Sequence, residues 1–471
     1  MTSTTETLGP VAADSAPRGL RRILLGLRPG ARLSGGILSV AGMVLVWLPS
    51  LWAGALGVEL LAAAFWCWAR AAEDRKEQLG RWTWLRRPAA AMWLAAAAGT
   101  VLKEITAVGD GFVVASLSEL LLTVQALGVV WAGLELLAAL PLARPFAERG
   151  GPLLGIGPWL PVMLPSTGFA LLWRHVIHWT SVPLVRRAAL LLLVLTAVLA
   201  TLRAFSRQRW VASLRWLIVA DGVLASALLA LSVVPSEVSL MLWFAAAGGH
   251  AALLAGELRG MAPRRVAASH LLWRMSGWLS ITTLSWPLLV TLGFGPAGLR
   301  NRGFAIPTAI AVALATWVMI RRMVEAPERR AMVRRESAVS LSRLTAALTM
   351  VVGPLALVMA WWKGFGEEVP WHGAWLALIP ALVPGAIAWW FERHPEWIPT
   401  LAWPRGDVAR AAATNLFRAT VAIERRLVGL LAGVLRGLLA PSRDLHTGDA
   451  QEYLLFLVGL SVLALIIPVL R

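Results

Sequence analysis

The sequence predicts an all-α polytopic membrane protein of about 13 transmembrane helices, one of them broken, with a cytoplasmic amphipathic helix before the last span. Three observations predict it. Hydrophobic residues make up 58% of the chain and charged residues only 15%, too little charge to cover a soluble protein of 471 residues. Apolar runs long enough to cross a bilayer recur along almost the whole chain, separated by short polar stretches. The chain also carries 26 Trp against one Tyr, and many of them (Trp82, Trp84, Trp361, Trp362, Trp389, Trp390) end an apolar run, where interface anchors belong.

In order, the expected spans are 35–49, 51–69, 88–106, 112–142, 155–172, 187–205, 211–233, 237–256, 271–293, 305–320, 344–362, 373–391 and 453–470. The first pair forms a hairpin broken at Pro49. The fifth is short and carries Pro158, Pro161 and Pro165, so it is read as the broken helix, a form tolerated where it lines a cavity or packs in protein. Residues 1–34 are expected to be a disordered, basic cytoplasmic tail. Residues 35–391 form the transmembrane domain, 392–452 a cytoplasmic region and 453–471 the terminal span. Within 407–440, Leu416, Ile423, Leu427, Leu430, Val434 and Leu438 share one helical face, while Arg418, Arg425 and Arg436 lie elsewhere. This suits a helix lying along the membrane surface.

The net charge of +18 would suggest nucleic acid in a soluble protein, but here the basic residues lie between spans. With the N-terminus cytoplasmic, 34 of the 44 Lys and Arg face in and 7 face out. The positive-inside rule then predicts N-in, C-out in the inner (plasma) membrane. The lipid bilayer is the expected partner, with no nucleic acid. Cys67 is the one cysteine, so no disulfide, zinc or iron–sulfur ligand set is available, and no cofactor or metal is expected. There is no nucleotide loop, GxSxG or HExxH, and no catalytic residue is assigned.

The candidate functional residues are the polar groups inside apolar runs. Ionised carboxylates in hydrocarbon cost several kcal/mol, so a chain keeps them for a reason. FVVASLSELLLTVQALGVVWAGLELLAALPL holds Glu119 and Glu135, the second with apolar residues on both sides. Glu135 reads either as part of a half-aqueous path or as a hydrogen-bonded strut between helices. His175 and His178 are three apart and suit a proton relay or a membrane-surface pair. Asp221 lies in RWLIVADGVLASALL, with Arg215 too far along the same helix for a direct pair. His250 lies in FAAAGGHAALLAGELRG, among small residues that permit close helix packing. Arg274 begins a later span and suits snorkelling to the surface.

Set side by side, these stretches resemble the antiporter-like membrane subunits of the complex I superfamily, which also serve membrane-bound hydrogenases, Mrp antiporters and inorganic-carbon uptake systems. WAGLELLAALPL resembles that family's carboxylate helix. PWLPVMLPSTGFALLWRHV is similar to its broken helix. FSRQRWVASLRWLIVADGVL, GGHAALLAGELRG and LLWRMSGWLSITTLSWPLLVTLGFGP resemble the helices that follow. Leu445-His446-Thr447-Gly448-Asp449 before Tyr453 resembles the end of longer members, which would make 407–440 their lateral helix. The resemblance implies a proton path over Glu135, His175, His178, Asp221 and His250, with Glu119, Arg209 and Arg274 as accessory groups, and other subunits of a membrane complex as partners. The chain departs from the family in its lysines. It has only Lys76, Lys103 and Lys363, with Arg209 and Leu254 at positions where family members carry lysine. Arg stays charged and cannot stand in for a lysine that gains and loses a proton. A working proton-channel subunit, a channel-inactive assembly subunit of the same fold, and an unrelated transporter or lipid-processing enzyme therefore all remain open.

Overall fold

The computed structural model describes residues 33–71, 75–108, 112–137, 160–206, 210–232, 235–258, 284–293, 302–324 and 337–365, with scattered positions between 375 and 433. The described residues are all-helical, with no strand among them. Their helices are α1 (Leu33–Val46), α2 (Leu51–Ala71), α3 (Arg75–Val108), α4 (Phe112–Leu136), α5 (Leu160–Arg174), α6 (Val176–Thr180), α7 (Pro183–Ser206), α8 (Trp210–Leu231), α9 (Ser236–Leu258), α10 (Leu284–Gly293), α11 (Ala305–Val324) and α12 (Ser337–Ala360). Five of them are long and apolar enough to cross a membrane: α4, α7, α8, α9 and α12. Large apolar side chains lie exposed on the outer helices, as Leu348, Val351 and Leu355 do on α12 and Ile37, Val40 and Val44 on α1. Such surfaces belong in lipid rather than water.

The chain divides into two compact units, residues 1–413 and 414–471. In the second, positions 415, 418, 419, 422, 426, 429 and 433 are helical and exposed. The apolar positions expected of a surface helix there, and the span expected at 453–470, lie outside the described residues.

Most expected spans coincide with helices, and the differences have physical reasons. The third helix begins at Arg75 rather than 88, because Pro88 sits inside α3 without ending it. The fifth is not broken at Pro165 either, while Pro158 lies outside the described residues. Helix α5 runs from Leu160 through Pro165 to Arg174. The break comes at His175, whose backbone (φ −108°, ψ 24°) leaves the helical region before the single turn of α6. The indole of the fully buried Trp179 donates to the Leu172 carbonyl at 2.9 Å, which caps a carbonyl near the end of α5 and fixes the break. Helix α8 stops at Ser232, which takes a left-handed φ of 54°.

Helix α8 is the innermost: 94% of its most apolar window is buried, against 28% for α4 and for α12. It packs on α7, α9 and α5, while α9 also packs on α12 and α4 on α3 and α5. Glycines set the closest approaches. A Cβ on Gly42 of α1 would lie 2.7 Å from the Gly57 carbonyl of α2, so the first hairpin is glycine on glycine. A Cβ on Gly168 of α5 would lie 2.6 Å from the Leu137 nitrogen and 2.7 Å from the Gly133 carbonyl. Gly168→Ala is therefore expected to lower stability by about 1–3 kcal/mol, because backbone cannot yield as a side-chain tip can. Thermal unfolding in detergent measures it. Gly36→Ala, whose Cβ meets nothing within 4 Å, serves as the control with no loss.

Candidate functional site

Helices α8 and α9 are joined by four residues and lie antiparallel, so residues near the middle of one face the far half of the other. That register brings Asp221 of α8 to His250 of α9. The His250 Nδ1 and the Asp221 Oδ2 share a hydrogen bond, and both side chains are buried, His250 at 0% and Asp221 at 3% exposure. Asp221 sits near the middle of the most buried helix, so its carboxylate has traded water for one imidazole. Arg215, two turns earlier on α8, is half-buried, and the partner of Asp221 is across the helix interface. Two residues before His250, Gly248 lies against Thr349 of α12, whose Oγ1 would be 3.1 Å from an added Cβ. The small residues beside His250 thus serve the α9–α12 contact.

Glu135 is fully buried near the end of α4. It is flanked by Gly133, which packs on Leu172 of α5, and by Leu137, which packs on Gly168 of α5 and on Gly222 of α8. Gly222 follows Asp221 directly and also faces Pro165 of α5. These contacts hold α4, α5 and α8 together at one level. Glu135, Asp221 and His250 therefore lie near one level, as a row across the bundle, where Gly168 of α5 meets the α4 backbone on either side of Glu135 and Pro165 faces Gly222.

The histidine pair lies elsewhere. His175 is seven residues beyond Gly168, about 10 Å further along the helix axis. It is buried, and its Nε2 would lie 3.4 Å from a Cβ added to Gly54 of α2, a spot that Met92 of α3 and Leu171 of α5 also approach. Both of its ring nitrogens are without a hydrogen-bond partner among the described residues. His178 is half-buried, with its ring centroid 5.9 Å from that of His175, and Arg174 beside them is exposed. The pair therefore leads from one end of the bundle toward α2 and α3 rather than directly into the row. Glu119 is exposed on α4, and Arg209 and Arg274 lie outside the described residues. Among the described residues no group of three or more His, Cys, Asp or Glu is placed to hold a metal.

Sequence reading named Asp221 and His250 separately and missed that they are one site. The connection length held the signal: an antiparallel α8–α9 hairpin puts Asp221 within about a turn of His250. Reading also missed the aromatic cluster that gathers around Trp243 of α9. Phe169 of α5 stacks on Trp243 at 4.8 Å between centroids, Trp243 meets Phe244 at 4.9 Å, and Phe244 stacks on Trp47 at 6.2 Å.

Fold and site together define a helical membrane protein with a buried acid–imidazole pair at its centre. No protein-family model matches the chain, and no curated protein matches it. Its fold does resemble that of solved structures. A chain in the structure of the Mrp complex from Dietzia sp. DQ12-45-1b superposes with a TM-score of 0.52 at 15% identity, over 93% of this chain. The chain spans 55% of that neighbour's length. At this identity the likeness is one of fold.

The pair makes a prediction of its own. Asp221→Ala and His250→Ala each strand a buried polar partner, whereas the double variant strands neither. In a double-mutant cycle of thermal stability the coupling is expected to be about 1–3 kcal/mol. Additive losses would show that the two side chains do not interact.

Proposed function

We propose that the chain is a proton-translocating, antiporter-like membrane subunit of a larger energy-coupling complex, redox-driven or serving carbon uptake. The buried Asp221–His250 pair carries this reading. An imidazole can take a proton at Nε2 and release the one at Nδ1, so a proton arriving at His250 passes to Asp221 without the ring turning over. From the carboxylate the proton continues along the row, past the proline-bearing helix α5, to Glu135. The path also takes in His178 and His175 at one end of the bundle, across the roughly 10 Å of α5 between Gly168 and His175. The likeness in fold to a chain of the Mrp complex supports the place within a complex. Within this reading the N-terminal tail lies in the cytoplasm, 392–452 is a surface helix region, 453–471 is a last span, and the C-terminus is outside the plasma membrane.

A second reading has one specific observation in its favour. With only Lys76, Lys103 and Lys363 in the chain, the lysines that resemblance would place in the channel are missing. The same fold would then serve assembly and anchoring, and the Asp221–His250 bond would be a fixed strut.

Proton flux in proteoliposomes containing the chain and its copurified partners separates the two. Asp221→Asn, His250→Gln and Glu135→Gln are each expected to lower flux at least tenfold with assembly intact, while the exposed Glu119→Gln leaves it unchanged. Flux indifferent to all four substitutions, or absent from the wild type, would favour the assembly subunit.

A further inference from the structure

Two buried polar atoms lie on one face of α9 with no hydrogen-bond partner among the described residues, Ser239 Oγ and His250 Nε2. They are eleven residues apart, which is three turns. Their directions around the helix differ by about 20° and they lie about 16 Å apart along it. Each is fully buried. Buried hydroxyls and imidazoles in native proteins find partners, and where side chains supply none, water does. Ser239 lies at the end of the bundle where the Trp173 indole donates to the Ser236 carbonyl at 2.8 Å, so it marks the outer end of the stripe. His250 marks the inner end.

Trp243 sits between them on the same face, four residues after Ser239 and seven before His250. Its ring lies on that of Phe169 from α5, with 16° between the planes, and both side chains are buried. The apolar faces of the two stacked rings offer a water file no strong hydrogen bond, the condition under which a narrow passage dewets.

We propose that an internal water route runs along this face of α9 from Ser239 to His250, and that the Phe169–Trp243 stack is the hydrophobic gate that closes it. That protons are what the route delivers rests on the function proposed above, whereas the gate itself does not. With the rings stacked, the Ser239 end of the route is cut off from the Nε2 side of His250. Rotation of the Trp243 ring away from Phe169 joins the two. The ring is held through Phe244 and Trp47 to Trp173, 5.5 Å from Trp47, so a shift of α1 or of the end of α5 reaches the gate.

The test uses the full chain, since replacing its one cysteine by Cys67→Ser leaves a cysteine-free background. Ala247→Cys then puts a thiol one turn past Trp243 and three residues before His250. The probe is a small, membrane-impermeant quaternary-ammonium methanethiosulfonate, applied to both faces of proteoliposomes. Phe169→Leu and Trp243→Leu, which keep apolar bulk but remove the stack, are expected to raise the labelling rate at least tenfold. Trp243→Phe, which can stack, is expected to label at the rate of the intact gate. Unchanged size-exclusion profiles and thermal unfolding confirm that each variant is folded. Equal rates in all folded variants would overturn the gate and make the stack ordinary core packing. Labelling requires no proton movement, so it reads the gate even where His250→Gln leaves proton flux unaltered.

Discussion

The hydrogen bond between Asp221 and His250 is the constraint around which the bundle is arranged. A carboxylate near the middle of the most buried helix has no water to turn to, and its stability depends on the imidazole of the next helix. That dependence fixes the register of α8 against α9. It also fixes what the other elements must do. Helix α12 has to approach α9 closely at Gly248 without disturbing His250, and α5 has to pass α8 at Gly222, beside Asp221. Glycines stand at both approaches because a methyl group there would press on a neighbouring helix.

Helix α5 links this pair to Glu135. Its Gly168 lies against the backbone of α4 on either side of Glu135, and its Pro165 faces Gly222. A proline inside a helix leaves one carbonyl without its usual donor, and here the helix continues through it. The chain direction changes later, at His175, where Trp179 caps the Leu172 carbonyl. The two histidines at the break and the stacked rings on α9 lie toward the same end of the bundle, since Trp173 of α5 bonds to the start of α9. The polar row is thus covered, at that end, by aromatic side chains that tie α1, α5 and α9 together.

Much of the fold was legible in the sequence because lipid imposes a simple rule: a span needs about 20 apolar residues, and charges fall between spans. The bounds of α2, α7, α8 and α9 follow from it within a few residues. Where another physical factor ruled, the reading failed. Pro165 was read as a break, yet it lies inside a helix, and so does Pro88, where an expected span began. His175 at the real break carries no local signature. The site was half legible. Buried Glu135, Asp221 and His250 stood out as polar groups in apolar runs, and helix spacing correctly kept Arg215 apart from Asp221. Their joining into one row depends on contacts between helices, through Leu137, Gly168 and Gly222, that no single run contains. The Phe169–Trp243 stack was illegible for the same reason, since aromatic residues in a membrane span look alike until packing pairs two of them.

Exchanging the two partners asks whether proton movement depends on this pair. Asp221→His and His250→Asp together rebuild the acid–imidazole pair in reverse order between the same two helices. Proton flux in proteoliposomes is expected to vanish in each single exchange, which pairs two acids or two imidazoles, and to recover substantially in the double. Single exchanges that conduct like the wild type would contradict the account, because the proton would then have no need of this pair.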